Sequence, residues 1–181
     1  KHFPIDKYVD FVVNRQHSAW DWTQAEQHGK WIESAYLSAV QGDDKELLIK
    51  AESVLNRIID SQEANGYVGA TAKSFRSPER PVRGMDAYEL YFVFHAFITV
   101  YEETGDKKAL TAAEKLADYF LQYFGPGKLE FWPSDLRAPE NNQKHLDGHS
   151  DFAGHSVHYS WEGTLLCDPI TRLYELTGKK K

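Results

Sequence analysis

Apolar positions recur at helical spacing along most of the chain, and the polar positions between them separate two kinds of helix. Residues 84–106, GMDAYELYFVFHAFITVYEETGD, are apolar on nearly every side, with Asp86 placed to cap the start and Gly105 to stop the end. A helix of that kind is buried among other helices. Residues 44–63 differ: Leu47, Leu48, Ala51, Val54, Leu55, Ile58 and Ile59 form one stripe, and Lys45, Glu46, Lys50, Glu52, Asn56, Arg57 and Asp60 lie mostly off it. Residues 107–124 repeat the one-sided pattern with Leu110, Ala113, Leu116, Ala117, Phe120 and Leu121. Both are amphipathic helices with one wet face. A helix is predicted over 24–41, started by a Thr23–Glu26 capping box and ended by Gly42, with Trp31, Ile32, Ala35, Tyr36, Ala39 and Val40 at helical spacing. A last one is predicted over 159–176, where Pro169 should kink it or split it in two. Residues 1–16 fit a short helix or a strand equally well.

The elements repeat in order. Val40-Gln41-Gly42-Asp43, Glu103-Thr104-Gly105-Asp106 and Leu176-Thr177-Gly178-Lys179 punctuate three helix ends in the same way. The unit is a buried helix, a tight Gly turn, an amphipathic helix and a long loop, about 60–70 residues in all and longer than the usual solenoid repeats. Short turns at one end and long loops at the other belong to toroids of α-hairpins, in which inner helices line a cavity. The expected fold is therefore all-α. Residues 1–181 form a single helical domain, about half of an (α/α) six-hairpin toroid, with inner helices near 24–41, 86–104 and 159–176 and outer helices near 44–63 and 107–124. The third unit stops after its Gly turn, so its outer helix is missing by the repeat rule. The terminal helix, with Leu165, Leu166, Ile170 and Leu173, is then expected either to meet the missing half of the toroid or to self-associate.

Composition narrows the partners. A net charge of −6 gives nucleic acid or an anionic membrane no electrostatic support. The longest apolar run, around residues 90–100, is interrupted by His95 and too short to span a bilayer. The single cysteine, Cys167, excludes an internal disulfide framework and a thiolate-rich metal cluster within the chain, and is expected to be a small core residue. The chain begins at Lys1 without a signal-peptide pattern, as a mature, trimmed or excised piece would. A periplasmic or secreted setting is expected over a cytoplasmic one.

If the long loops feed the inner helices, the helix starts converge on one rim. That gathers Trp20, Trp22, Glu26 and His28 with Asp86, Tyr88, Glu89 and Tyr91, and with His155, His158, Tyr159, Trp161 and Glu162. Sugars present apolar C–H faces and many hydroxyls, which aromatic platforms flanked by carboxylates and imidazoles suit. Each residue also has a structural explanation: Trp31 and His95 suit the core, Glu26 suits a capping box, and a buried Glu89 needs a partner. His145, His149, His155 and His158 invite a metal reading. Asp147-Gly148 between the first pair argues for a loop, however, and no metal-ligand motif supports one, so no metal is expected on this chain.

Four blocks, EQHGKWIESAYLSAVQGD, SQEANGYVGA, YELYFVFHAFITVYEETGDKKALTAAEKLADY and HYSWEGTLLCDPITRLYELTG, resemble successive segments of glycoside hydrolase family 127 and its relatives. The resemblance runs from about Trp20 to Gly178. It implies an (α/α) six-hairpin toroid, a carbohydrate substrate, and a zinc-bound cysteine nucleophile with a glutamate acid/base in segments after the part matched here. No catalytic residue and no zinc ligand carry over to this chain, so zinc is expected only in a longer parent. Relatives have His-Glu-Leu-Tyr where this chain has Tyr88-Glu89-Leu90-Tyr91, which puts arabinofuranoside specificity in question. The residues expected to line a substrate site are Trp22, Glu26, His28, Tyr88, Glu89, His155, His158 and Trp161. The leading expectation is a piece of a glycoside hydrolase catalytic domain that binds substrate but is inactive alone. A sugar epimerase or unsaturated-uronide hydrolase on the same toroid, and a non-catalytic helical-repeat interaction module, are the alternatives.

Overall fold

A computed structural model of the chain describes residues 3–15, 26–78, 81–82, 86–128 and 165–179. Among the described residues there are six α-helices: α1 (Ile5–Val13), α2 (Glu26–Gly42), α3 (Lys45–Asp60), α4 (Asp86–Thr104), α5 (Lys107–Tyr123) and α6 (Cys167–Thr177). A single 3-10 turn lies at Lys73–Phe75. The N-terminal stretch that fits either a helix or a strand is a helix. Its Ile5, Val9, Phe11 and Val12 are buried, and Arg57 of α3 ties it down through Asp6, at 2.9 Å, and Asp10.

Helix α4 is the centre of the core. Leu90, Val93, Phe94, Ala96, Phe97, Ile98 and Val100 are all buried, and Tyr91, Phe92 and His95 between them are half-buried. Burying each of its large apolar side chains is worth roughly 1.5–3 kcal/mol. Helix α2 lies against it so closely that a methyl group on Gly29 would stand 2.5 Å from the Phe92 carbonyl carbon and 2.6 Å from the Val93 nitrogen.

The contacts fix the helix directions. Gly29 and Lys30 of α2 meet α4 at Tyr88, Phe92 and Val93, and Glu33 meets it further along at Thr99. Asp168 of α6 meets α4 at Tyr91 and His95, and Arg172 meets it at His95, Thr99 and Glu102. Both partners advance together, so α2, α4 and α6 run parallel, while α3 and α5 return beside α2 and α4 after two-residue turns. Parallel inner helices with antiparallel returns make the chain part of an (α/α) toroid. Asp44 and Asp106 cap the two return helices, accepting from Leu47 N–H at 3.0 Å and Lys108 N–H at 2.8 Å.

The turns close differently. Gly105 takes a left-handed φ of 73° after α4, but after α2 Gly42 stays helical and Asp43 takes the left-handed conformation at 49°. Aspartate tolerates that region at modest cost. Pro169 falls in the first turn of α6, where its missing N–H is one that a helix leaves unpaired anyway. The break comes three residues earlier, at Leu166, which is in a turn. Cys167 thus opens a helix instead of sitting inside one and is exposed, contrary to the core position expected of it. The connection after α3 is not a solvated strap: Tyr67, Val68, Ala70 and Thr71 are buried, and Arg76 lies 3.6 Å over the Tyr67 ring while pairing with Glu63. Among the described residues, no helix is long and apolar enough to cross a membrane.

Replacing Gly29 by Ala pushes a methyl group into backbone, which no side-chain rotation relieves. Overpacking of this kind costs about 1–3 kcal/mol. Gly29→Ala should therefore lower the urea midpoint of the chain, and an unchanged midpoint would refute the close approach.

Tyr36 contributes a pH dependence at the alkaline end. Burial, with Glu52 and Asp106 as lesser contributors, pushes its phenol well above the ordinary tyrosine value. The fold therefore holds this proton more tightly than the unfolded chain does. Its stabilising effect is complete below about pH 10, where the unfolded phenol ionises, and is lost as the pH rises beyond that. Thermal melts should fall above about pH 10, and less steeply in Tyr36→Phe; parallel curves for the two proteins would show that Tyr36 is not responsible.

Candidate functional site

The first turns of α2 and α4 stand side by side. Glu26 opens α2 and pairs with Lys30 one turn on, at 3.1 Å. The Lys30 ammonium lies 4.3 Å from the Phe92 ring centroid and 5.9 Å from that of Tyr88, joining the two helices by cation–π contacts. Between these points His28 and Glu89 are buried, at 1% and 2% exposure. A buried imidazole and a buried carboxylate are costly unless bonded, so both belong to built polar environments. The structure thus brings Glu26, His28, Tyr88 and Glu89 to one rim. Trp22, His155, His158 and Trp161 lie outside the described residues.

An aromatic wall continues from this rim down α4. Tyr88 meets Phe92 edge-on at 5.5 Å, Phe92 meets Tyr91 at 5.0 Å, and Tyr91 meets His95 at 4.6 Å. At its lower end is a polar cluster that the sequence did not announce. His95 Nε2 is 2.9 Å from Asp168 Oδ2, and the Tyr91 hydroxyl donates to the same oxygen at 3.4 Å. Arg172 Nη1 reaches His95 Nδ1 at 3.2 Å, and its Nη2 donates to Thr99 Oγ1 at 3.2 Å. The guanidinium also pairs with both oxygens of Glu102, one of them at 3.3 Å from Nε. Thr99 in turn donates to Glu33 of α2 at 2.8 Å.

This string fixes protons. A guanidinium only donates, so His95 Nδ1 must accept and the ring proton sits on Nε2, where it is donated to Asp168. His95 is thus a bonded histidine, its side chain 14% exposed. Burial, and then the Asp168 carboxylate, push the Tyr91 phenol above its ordinary value and keep it a donor. Lys30, Asp168 and Arg172 escaped the sequence reading because charged residues at one-turn spacing look like a wet helix face. Asp168 carried one signal, its place beside the proline that restarts the helix.

The arrangement offers hydroxyl acceptors, hydroxyl donors and aromatic faces along one side of an α-hairpin toroid. The chain belongs to the β-L-arabinofuranosidase GH127 catalytic domain family, whose description matches residues 5–132. It is 29% identical over 160 residues, 84% of its length, to the non-reducing end β-L-arabinofuranosidase of Bifidobacterium longum subsp. longum. It also superposes, with a TM-score of 0.62 over 99% of its length and 22% identity, on a GH127 β-L-arabinofuranosidase from Geobacillus stearothermophilus. The chain spans 20% of the first relative and 25% of the second.

No group of three His, Cys, Asp or Glu among the described residues could hold a metal ion. Cys167 is exposed and is the only thiol in the sequence.

The proton assignment is directly measurable. Nitrogen NMR of the imidazole in neutral His95 should show Nε2 protonated and Nδ1 bare. Arg172→Met should relax that preference. A protonated Nδ1 in the unaltered chain would contradict the Arg172 contact.

Proposed function

We propose that this chain supplies part of the substrate site of an arabinofuranosidase-like glycoside hydrolase. One observation carries the reading. Glu26, His28, Tyr88 and Glu89 come from two helix starts separated by about sixty residues, yet lie at one level because α2 and α4 run parallel and in contact. Buried polar side chains beside aromatic faces, at the first turns of two inner helices, suit the recognition of a sugar ring. The membership in the GH127 family supports the same substrate class.

In this reading Tyr88 provides a face and a hydroxyl, and the buried Glu89 and His28 hold groups that bond ring hydroxyls. Hydrolysis in most glycosidase families needs two carboxyl groups flanking the scissile bond. Neither Glu26 nor Glu89 is assigned as nucleophile or general acid. The chain alone is therefore expected to bind a glycan without turning it over.

Two measurements on the 181-residue chain test this. Titration with methyl β-L-arabinofuranoside should shift the amide resonances of α2 and α4 near Glu26 and Glu89. Glu89→Gln should weaken binding about tenfold, the cost of one hydrogen bond to a charged group. Sustained release of aryl alcohol from an aryl β-L-arabinofuranoside by this chain would overturn the assignment of a binding role without catalysis.

A further inference from the structure

The polar cluster below the rim has a feature that packing does not require. Its inner members are enclosed: Thr99 is buried and His95 nearly so. Its outer member, Asp168, has a side chain 62% exposed. The network runs from Glu33 through Thr99, Arg172 and His95, across three parallel helices, and ends in an exposed carboxylate.

The geometry of that carboxylate is set from behind. Both contacts, from His95 Nε2 and from the Tyr91 hydroxyl, fall on Oδ2. Among the described residues this leaves Oδ1 to the solvent side. Arg172 occupies the other nitrogen of His95, which favours keeping the Nε2 proton on the Asp168 side, and Arg172 is itself clamped by Glu102. The result is an oriented acceptor, Asp168 Oδ1, beside a hydroxyl, Tyr91, that still has a lone pair to accept with. It lies at the foot of the aromatic wall that starts at Tyr88.

We propose that Asp168 and Tyr91 form a second hydroxyl-binding subsite, one turn below the rim, for vicinal hydroxyls of a glycan. His95 and Arg172 are its positioning residues. The aromatic faces of Tyr88, Phe92 and Tyr91 connect it to the rim. An exposed carboxylate accepts from two neighbouring hydroxyls at once, and a fixed carboxylate does so with less ordering cost than a mobile one. The proposal rests on the rim reading above for the identity of the ligand as a sugar. It adds the place of a further contact and the residues that aim it.

The test uses the full chain and titration with methyl β-L-arabinofuranoside and an arabinofuranosyl disaccharide, followed by calorimetry and amide NMR. Asp168→Asn should weaken binding of at least one of the two about tenfold, since it removes a charged acceptor. Tyr91→Phe, which keeps the wall intact, should weaken it less but measurably. Arg172→Lys should weaken it too, and combining it with Asp168→Asn should cost no more than Asp168→Asn alone. A structural role for Arg172 would instead give additive losses. If both sugars bind unaltered chain and Asp168→Asn with equal affinity while Glu89→Gln loses binding, the subsite is wrong and the rim stands. If neither sugar binds the folded, unaltered chain, rim and subsite fall together. If Asp168→Asn fails to fold, Tyr91→Phe with amide shifts at 91 and 168 decides.

Discussion

The close approach of two backbones at Gly29 is the constraint on which the rest of the site depends. With only a hydrogen at that position, α2 can lie on the Phe92–Val93 peptide of α4. At that separation the Lys30 ammonium reaches two aromatic rings of the neighbouring helix and Glu33 reaches Thr99. His28, the residue before Gly29, and Glu89, one turn before Phe92, are enclosed by the same packing. A wider spacing would lengthen all of these contacts together, so one missing methyl group serves core and rim at once.

The hairpin order was legible from the chain because the two helix types bury different amounts of surface. All-round apolarity marked α4, and single stripes marked α3 and α5. Local chemistry was less legible. Gly42 looked like the residue that would take the left-handed turn, but Asp43 takes it, since a short polar side chain suffices there. Pro169 was correctly a point of discontinuity, yet the helix restarts just before it, which moves Cys167 from the core to the surface.

The rim residues proposed on α2 and α4 come from position alone, by asking where helix starts converge. The cluster around Arg172 could not be found that way. Glu33, Glu102, Asp168 and Arg172 each look like surface charges on their own helix. Their meaning comes from the parallel register of α2, α4 and α6, and one-dimensional periodicity does not contain that register. His95 was read as a core histidine and is one in the sense of being bonded, but its bonds carry orientation from a guanidinium to a carboxylate.

The parallel direction of the three helices has an electrostatic side. Peptide dipoles add along a helix and leave roughly half a positive elementary charge at its N-terminus. Among the described residues, three such inner-helix ends point the same way. Glu26 opens α2, Glu89 closes the first turn of α4, and Asp168 lies in the first turn of α6. Each carboxylate thus sits where the backbone field favours negative charge. The backbone thus contributes to the character of these helix starts before any side chain is chosen.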